Sequence, residues 1–321
     1  MIFENKVLGV YKGLAYSRCD DNGTAYYFSA KDFPGLQCEE YAFTASAGHR
    51  LQGYVYSYAS PNPDRLVVFD HGMGGGHLSY MKEIELLCRR GVTVLAYDHT
   101  GCMQSGGENT GGMAQSLCDL NDCLNTIKND PRFEGMDISV MGHSWGGFAA
   151  MNICALHPEV SHIVALAGFV SVERLVESFF GGALRGYRRA VMALERESNP
   201  KFVEYDAAQS LAQTNAKVLL CYSEDDPRCS KKAHYDVLHA ALSERENIRL
   251  LLVKNRAHNP NYTEAAVKYL GEYVAELTRR TKKKQLRTPE QREQFVAQWD
   301  WDAMTAQDEA VWEEIYAALE L

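Results

Sequence analysis

Short apolar runs rich in β-branched residues alternate along the chain with longer segments of helical period. Six such runs predict buried strands, namely Leu66–Asp70, Val92–Asp98, Asp137–Gly142, His162–Ala167, Val218–Tyr222 and Ile248–Val253. Continuous apolar runs with helices between them are typical of parallel strands, because both faces of such a sheet are covered. The pattern predicts an α/β fold with a mostly parallel central sheet flanked by helices.

The segments before Ser60–Pro63 alternate differently, with aromatic and polar residues in steps of two. Three of them predict strands that are exposed on one face, namely Ala25–Ser29, Glu40–Thr44 and Leu51–Tyr58. We therefore expect residues 1–64 to supply N-terminal antiparallel strands of the sheet. Residues 65–168 and 216–280 would then form the α/β core.

The interval between the predicted strands that end at Ala167 and begin near Lys217 is too long for an ordinary connection. Apolar residues recur there at helical spacing, as at Leu175, Phe179 and Leu184. We expect a small helical cap over residues 169–215, although a plain surface insertion would show the same pattern.

A basic cluster, Arg279–Arg287, separates the last predicted core helix from an acidic segment with three tryptophans. The cluster is typical of a solvated linker, and the acidic segment supplies its countercharge. We expect a C-terminal helical tail over residues 281–321 that docks on the main body or on a second subunit. A homodimer formed through the cap or this tail is one of the two arrangements left open.

Composition narrows the class of protein and its partners. The chain has 321 residues, 46% of them hydrophobic, which is enough for a sizeable core. Its formal net charge of −9 disfavours binding to nucleic acid and to anionic membranes. The nine cysteines have no repeated short spacing, and neither a secretion signal nor a membrane span is recognisable. We expect a cytoplasmic protein with free thiols and no nucleic-acid partner.

The strongest chemical signal is the Gly-x-Ser-x-Gly pattern Gly142–Gly146, which lies between a predicted strand and a predicted helix. So sharp a turn needs glycine on both sides of the serine, because a Cβ there would clash with neighbouring backbone. The hydroxyl of Ser144 would stand clear of the sheet, with a helix N-terminus behind it that favours negative charge. The pattern favours a nucleophile over an ordinary glycine-rich turn.

A serine nucleophile needs a base, and the base needs an acid to orient it. Two later loops supply both, each directly after a predicted strand. The first, Ser223–Pro227, holds three adjacent acids, and the second, Asn255–Pro260, holds His258. The order serine, acid, histidine is the one known for this kind of turn, which makes His258 the candidate base.

Over about residues 40–278 the chain resembles the serine hydrolases of the α/β-hydrolase superfamily. The resemblance rests on the serine turn, the acid loop, the histidine loop and the run His71–Gly75 after the first parallel strand. It implies the α/β-hydrolase fold and a catalytic triad. In the family the acid usually stands three residues after a small residue that closes the strand, and counting from Ser223 favours Asp226 over Asp225.

The resemblance also implies an oxyanion hole, with the backbone N–H groups of Met73 and Trp145 as donors. Asp98 lies in a turn that is normally structural in the family, and we assign it no catalytic role. In the cap, we hypothesise that an acyl pocket is lined by Phe179, Phe180, Leu184 and Tyr187, and that an acidic group meets Arg185, Arg188 and Arg189.

Cofactor and metal motifs are not completed in this sequence. A dinucleotide fingerprint begun by Gly72 and Gly74 needs a third glycine where His77 stands. The chain contains no P-loop, no His-Glu-x-x-His and no Cys-x-x-Cys pattern. We expect neither a cofactor nor a metal.

These features together predict cleavage of a small-molecule carboxylic ester through an acyl-enzyme intermediate. A peptidase, a thioesterase or an acyltransferase would use the same residues, and a triad alone does not choose among them. A homologue that binds a ligand without turnover is the alternative from a different class.

Overall fold

The computed structural model describes residues 2–321, with side chains from Asn5 onward. The strands found there are β1 (Gln37–Thr44), β2 (Arg50–Ser57), β3 (Arg65–Asp70), β4 (Thr93–Tyr97), β5 (Asp137–His143), β6 (His162–Leu166), β7 (Lys217–Ser223) and β8 (Ile248–Val253). They form one sheet in the order β1-β2-β4-β3-β5-β6-β7-β8. The pairings of β2 with β1 and with β4 are antiparallel, and all others are parallel. The predicted fold class is confirmed.

The α-helices described are α1 (Ile2–Ala15), α2 (Met81–Arg89), α3 (Gln115–Ile127), α4 (Trp145–Asn152), α5 (Val172–Phe179), α6 (Arg188–Ser198), α7 (Ala207–Ala212), α8 (Tyr235–Leu242), α9 (Glu264–Lys282), α10 (Pro289–Val296), α11 (Trp301–Met304) and α12 (Glu309–Leu319). Short 3₁₀-helices cover Ala30–Asp32, His77–Tyr80, Pro131–Phe133, Ile153–Ala155 and Gly182–Tyr187. Across residues 2–321, none of the helices combines the length and apolarity needed to cross a bilayer.

The six predicted parallel strands agree with β3 to β8 to within one or two residues at each end. The predicted strand Ala25–Ser29 is wrong, because this segment is irregular. Its aromatic residues pack through their rings, as in the edge contact of Tyr26 with Phe28 at 5.1 Å. Its polar groups satisfy Asp32, which accepts from the Tyr26 hydroxyl and from the Ser29 backbone. Residues 2–15 form α1 within the segment 1–64, which we expected to supply antiparallel strands.

Side chains alternate across the central strands and build a core on each face of the sheet. In β3, Leu66 and Val68 face one core, while Val67 and Phe69 face the other. The first core includes residues of α1 and of α3 to α8, and the second is covered by α2 and α12. Both faces of the parallel strands are therefore closed.

The C-terminal segment docks on the main body of the same chain. Helix α12 buries Val311, Trp312 and Ile315 in the core that it shares with α2. By contrast, α9 buries only Ala266 and Tyr273 over its 19 residues, and it packs against α11. The helix that follows the candidate histidine is therefore not the one that covers the sheet.

Candidate active site

Ser144 lies between the end of β5 and the first residue of α4. Its backbone has φ of +55° and ψ of −107°, a left-handed conformation that non-glycine residues rarely adopt. A Cβ on Gly142 would collide with the backbone of Gly146, and one on Gly146 would collide with the backbone of Asp70. The glycines thus allow strand, serine and helix to meet in one tight turn.

The structure brings Ser144, His258 and Asp226 into one hydrogen-bonded chain. Nε2 of His258 lies 2.8 Å from Oγ of Ser144, and Nδ1 of the same ring lies 2.7 Å from Oδ2 of Asp226. The three side chains come from loops at the carboxyl ends of β5, β7 and β8, where parallel sheets place their sites. This is the arrangement in which an imidazole can accept the proton of a serine hydroxyl.

Asp226 is held so that one oxygen faces the histidine. Its Oδ1 accepts the backbone N–H groups of Arg228 at 2.7 Å and Cys229 at 3.0 Å, leaving Oδ2 for His258. Burial disfavours a charge here, but the hydrogen bond with His258 and these N–H groups hold the pKa of Asp226 below its ordinary value. The carboxylate is therefore ionised at neutral pH and accepts the hydrogen bond from the His258 ring.

Asp225, the alternative acid, faces the backbone of the histidine loop instead of the ring. Its Oδ1 accepts from the Ser223 hydroxyl at 2.5 Å and from the N–H groups of Arg256 and Ala257, each at 3.2 Å. Ala257 has φ of +44°, so this tether holds a strained backbone directly before His258. This supporting role was not predicted, because the sequence of adjacent acids in a loop does not reveal which way each side chain turns.

The candidate oxyanion donors belong to two different turns. Across residues 2–321, neither Met73 N–H nor Trp145 N–H has a protein acceptor. Trp145 opens α4 directly after the serine, and its indole N–H donates to the carbonyl of Met113 at 2.8 Å. Both turns therefore retain a free donor, as an oxyanion hole requires.

A buried charge lies beneath the loop that carries Met73. His99 lies 3.2 Å from both Asp70 and Asp119, and its backbone N–H donates to Nε2 of His71 at 2.9 Å. Burial alone would lower the pKa of His99, but the two carboxylates raise it to about 10. The backbone N–H of His99 and its ring contacts with the two aspartates thus link the His71 turn to the ends of β3 and β4.

Asp98 faces a second histidine and not Ser144. Its Oδ1 lies 2.7 Å from Nδ1 of His77, whose Nε2 lies 2.9 Å from the hydroxyl of Tyr56. Burial works against the charge, yet the hydrogen bond with His77 keeps the pKa of Asp98 below its ordinary value. This role of His77 was not predicted, because nothing in its position along the sequence marks it as the partner of Asp98.

One group of described residues has the ligand types of a metal site. Atoms of Asp226, Cys229 and His258 all lie within 4.8 Å of one another. However, Asp226 and His258 are already joined by a hydrogen bond of 2.7 Å, and burial raises the pKa of the Cys229 thiol. The residues suit an acid–histidine pair better than a cation, because a metal needs deprotonated and free ligands.

The C-terminal segment also reaches the histidine loop. Asp308 donates its N–H to the carbonyl of Asn261 at 2.8 Å and pairs with Arg256 at 2.8 Å. Asn261 donates in turn to the buried Glu83 of α2 at 3.0 Å, and burial raises the pKa of Glu83 to about 7. The loop is therefore braced from α2 and from the segment before α12.

Three of the four predicted acyl-pocket residues line one apolar groove. The groove has a volume of about 460 Å³ and lies between α1 and the end of α5, where it is lined by Val7, Val10, Tyr11, Leu14, Met113, Phe179, Phe180 and Leu184, with Lys6 beside them. Tyr187 instead packs, half-buried, against the main core. Arg188 donates to the carbonyls of Phe180 and Glu177, so it holds its own chain.

A mostly parallel sheet whose edge loops carry a serine, a histidine and an aspartate in one hydrogen-bonded chain defines an α/β-hydrolase. The chain belongs to the family described as serine aminopeptidase, S33, whose model matches residues 61–249. The predicted family resemblance is thereby confirmed.

The sequence identity between this chain and its individual relatives is low. The chain is 27% identical over 161 residues to the uncharacterized protein YqkD of Bacillus subtilis, covering 49% of this chain and 50% of that protein. It is 24% identical over 224 residues to the mouse acylamino-acid-releasing enzyme, covering 62% of this chain and 30% of that enzyme. The chain thus spans half or less of these relatives. A Pyrococcus furiosus esterase shares the fold with a TM-score of 0.58 at 16% identity, over 88% of this chain and 99% of the esterase.

Proposed function

We propose that the protein is a serine hydrolase that cleaves a carboxylic ester in a small molecule through an acyl-enzyme intermediate. The observation that carries this proposal is the unbroken hydrogen-bonded chain from Ser144 through His258 to Asp226. The strained turn beneath Ser144 supports it, because an ordinary serine does not need a left-handed backbone.

Each group has a definite part in the proposed reaction. Ser144 Oγ attacks the ester carbonyl while Nε2 of His258 takes the hydroxyl proton. The N–H groups of Met73 and Trp145 stabilise the oxyanion of the tetrahedral intermediate. His258 then returns the proton to the departing alcohol, and a water molecule activated by the same ring releases the acid. Asp226 keeps the ring oriented and stabilises its positive form.

A peptidase acting on an amide is the second candidate. The family description and the acylamino-acid-releasing relative favour it, since both name the release of amino acids or acylamino acids. The proposed steps are the same, except that the leaving group is an amine that must be protonated as it departs. The esterase and the peptidase are distinguished by the relative kcat/KM on matched esters and amides.

We further propose that the apolar groove between α1 and α5 holds the acyl part of the substrate. The backbone carbonyl of its lining residue Met113 accepts the indole N–H of Trp145, so the groove is linked through one side chain to the residue that follows Ser144. Phe179 and Leu184 are 48% and 41% exposed there, which leaves apolar surface for a ligand to cover.

A fluorophosphonate probe tests the nucleophile. We expect wild type to be labelled and Ser144→Ala to be unlabelled, while the exposed Ser178→Ala, matched in chemistry, is labelled like wild type. Equal labelling of Ser144→Ala would place the reactive group elsewhere. A folded wild-type protein that is not labelled would favour a ligand-binding homologue without turnover.

Substrate preference is tested with p-nitrophenyl esters of increasing acyl length beside aminoacyl p-nitroanilides. We expect higher kcat/KM on esters, and a preference for long acyl chains that Leu184→Lys removes. Val274→Lys is the control, because it also replaces an exposed apolar side chain by lysine, but on α9 and outside the groove. Faster cleavage of the anilides would favour the peptidase, and equal losses in both variants would contradict the groove as acyl site.

A further inference from the structure

His143, the residue before Ser144, joins three loops of the candidate site and has no part in the steps above. We propose that His143 and Tyr80 are positioning residues, forming a hydrogen-bonded relay that sets the backbone of His258 against the loop that carries Met73. The proposal rests on the proposed serine hydrolase function, and it adds to that function the means by which base and oxyanion donors are held in register.

The relay has three hydrogen bonds. The N–H of Gly72 donates to the hydroxyl oxygen of Tyr80 at 3.1 Å. The Tyr80 oxygen lies 2.8 Å from Nδ1 of His143. Nε2 of His143 lies 2.7 Å from the backbone carbonyl of His258. The chain of contacts thus runs from the loop after β3, through the serine turn, to the loop after β8.

The chemistry of the partners assigns every proton in the relay. The carbonyl of His258 only accepts, so Nε2 of His143 must carry the hydrogen. Burial, reinforced by the nearby His258, lowers the pKa of His143 to about 3, so the ring is neutral and Nδ1 is bare. The Tyr80 hydroxyl therefore donates to Nδ1, and its oxygen is left to accept from Gly72. Each donor meets an acceptor, and the direction of the relay is unique.

His143 acts on the base through the backbone and not by exchanging a proton with substrate. Among the described residues, its two ring nitrogens contact only Tyr80 and His258, and neither contacts the Ser144 hydroxyl. Its ring lies 4.9 Å from the His258 ring, centroid to centroid. It fixes the carbonyl of His258, while Asp225 fixes the N–H of Ala257 one residue earlier.

The other end of the relay constrains the candidate oxyanion donor. The peptide N–H of Gly72 is held by Tyr80, and the next N–H along the chain is that of Met73. Gly72 has no room for a side chain, since a Cβ would lie 2.5 Å from the Tyr80 oxygen. One side-chain pair therefore sets both the base and an oxyanion donor, whose placement to within ~1 Å governs rate.

Tyr80→Phe removes the central hydroxyl and keeps the ring. We expect kcat to fall by about 10- to 100-fold with KM close to wild type, because the lost contact positions reacting groups and binds no substrate. Tm should fall by several degrees while the protein stays folded at the assay temperature, because the Gly72 N–H and Nδ1 of His143 lose their partner. Tyr58→Phe is the matched control, since the Tyr58 hydroxyl makes a 2.7 Å hydrogen bond to Glu85 of α2 outside the relay. Equal kcat in the two variants would overturn the proposal.

Two substitutions of His143 distinguish the effect of losing the N–H donor from the effect of losing the imidazole ring. In His143→Gln the side-chain amide can still donate to the His258 carbonyl, whereas in His143→Leu no donor remains. We expect kcat to decrease in the order wild type, His143→Gln, His143→Leu. A Leu variant that is folded and as active as the Gln variant would contradict the relay.

A spectroscopic readout keeps this test independent of turnover. In wild-type protein labelled with ¹⁵N-histidine, the relay requires that His143, assigned by its absence in His143→Gln, be the Nε2–H tautomer. The Nδ1–H tautomer would overturn the relay whether or not the protein is an enzyme. A wild type that shows the Nε2–H tautomer but is not labelled by the fluorophosphonate would instead sink the proposed hydrolase function.

Discussion

Two of the buried aspartate–histidine pairs, Asp98–His77 and Asp226–His258, lie at the same end of the sheet, and of these two only the second leads to a serine. In both pairs Nδ1 of the ring lies 2.7 Å from an aspartate oxygen. Nε2 of His258 then faces the hydroxyl of Ser144, whereas Nε2 of His77 faces the hydroxyl of Tyr56. Tyr56 is only 2% exposed, and burial raises the pKa of its hydroxyl. The second pair is therefore closed by an inert phenol.

The difference shows that an aspartate–histidine pair does not by itself make a reactive site. What distinguishes the His258 pair is its third member, a serine on a strained turn directly before the first residue of a helix. That position leaves Ser144 partly exposed beside the N-terminus of α4, whereas Tyr56 lies inside a strand. Under the proposed function, the same hydrogen bond supports catalysis in the His258 pair and only stability in the His77 pair.

The largest expected effect separates the two aspartates by activity. Asp226→Asn should lower kcat by about 10⁴-fold, because the amide favours the wrong imidazole tautomer and cannot stabilise a positive ring. Asp98→Asn should leave kcat within about tenfold of wild type, since Asp98 contacts neither Ser144 nor His258. Steady-state kinetics on one ester measures kcat for both variants. Comparable losses of kcat would mean that the two aspartate–histidine pairs do not differ in their contribution to activity.

The next-largest expected effect concerns the stability of the protein and not its activity. Asp98→Asn should reduce the free energy of unfolding by about 1–3 kcal/mol, because buried donors on His77 lose a charged acceptor. Urea denaturation monitored by tryptophan fluorescence measures this loss, and Tyr56→Phe should lose less, since only one hydrogen bond is removed. A fully stable Asp98→Asn variant would contradict the structural role of the pair.

Low pH should remove the difference in unfolding free energy between wild type and Asp98→Asn. The pKa of Asp98 in the folded protein is below its ordinary value, so its contribution is fully present above about pH 4, where the unfolded carboxyl is ionised. The contribution is lost as the pH falls through the folded pKa. The gap between wild type and Asp98→Asn should therefore be complete at pH 7 and shrink below about pH 4. A stability difference that increases as the pH falls would contradict a lowered pKa of Asp98 in the folded protein.

The smallest expected effect concerns the neighbouring acid. Asp225→Asn should change kcat by less than about twofold, because asparagine keeps an oxygen that accepts from the Ser223 hydroxyl and the Ala257 N–H. Asp225→Ala, which removes that oxygen, should lower kcat more by freeing the histidine loop. If Asp225→Asn abolished turnover while Asp226→Asn did not, the acid of the triad would have to be reassigned.

Much of the sheet and the loops of the site could be predicted, because local patterns determine them. Apolar runs mark the buried strands, and the carboxyl ends of parallel strands converge on one edge wherever the helices lie. The loops after β5, β7 and β8 therefore meet, whatever the rest of the chain does. The choice between Asp225 and Asp226 came from the family pattern, since spacing alone does not show which carboxylate faces a ring.

The remaining features depend on contacts between distant segments, which local patterns do not encode. The aromatic alternation at Ala25–Ser29 resembles a strand but lacks a neighbouring strand to pair with. Both α9 and α12 have apolar faces, and nothing in either sequence states which one covers the sheet. The bond from His143 to the His258 carbonyl joins residues 115 positions apart, and it involves a backbone atom that any residue type would present.

The docking of α12 has a consequence for how the chain folds. Its contacts join regions far apart in sequence, since the Tyr316 hydroxyl meets the carbonyl of Leu86 across 230 positions. Closing so long a loop is entropically costly and raises the contact order, which slows folding. A folding chain in which α12 has not yet docked would leave the apolar side of β6 and β7 uncovered and open to association with other chains. Refolding yield should therefore depend on protein concentration, with the arrival of this helix as the step that competes with aggregation.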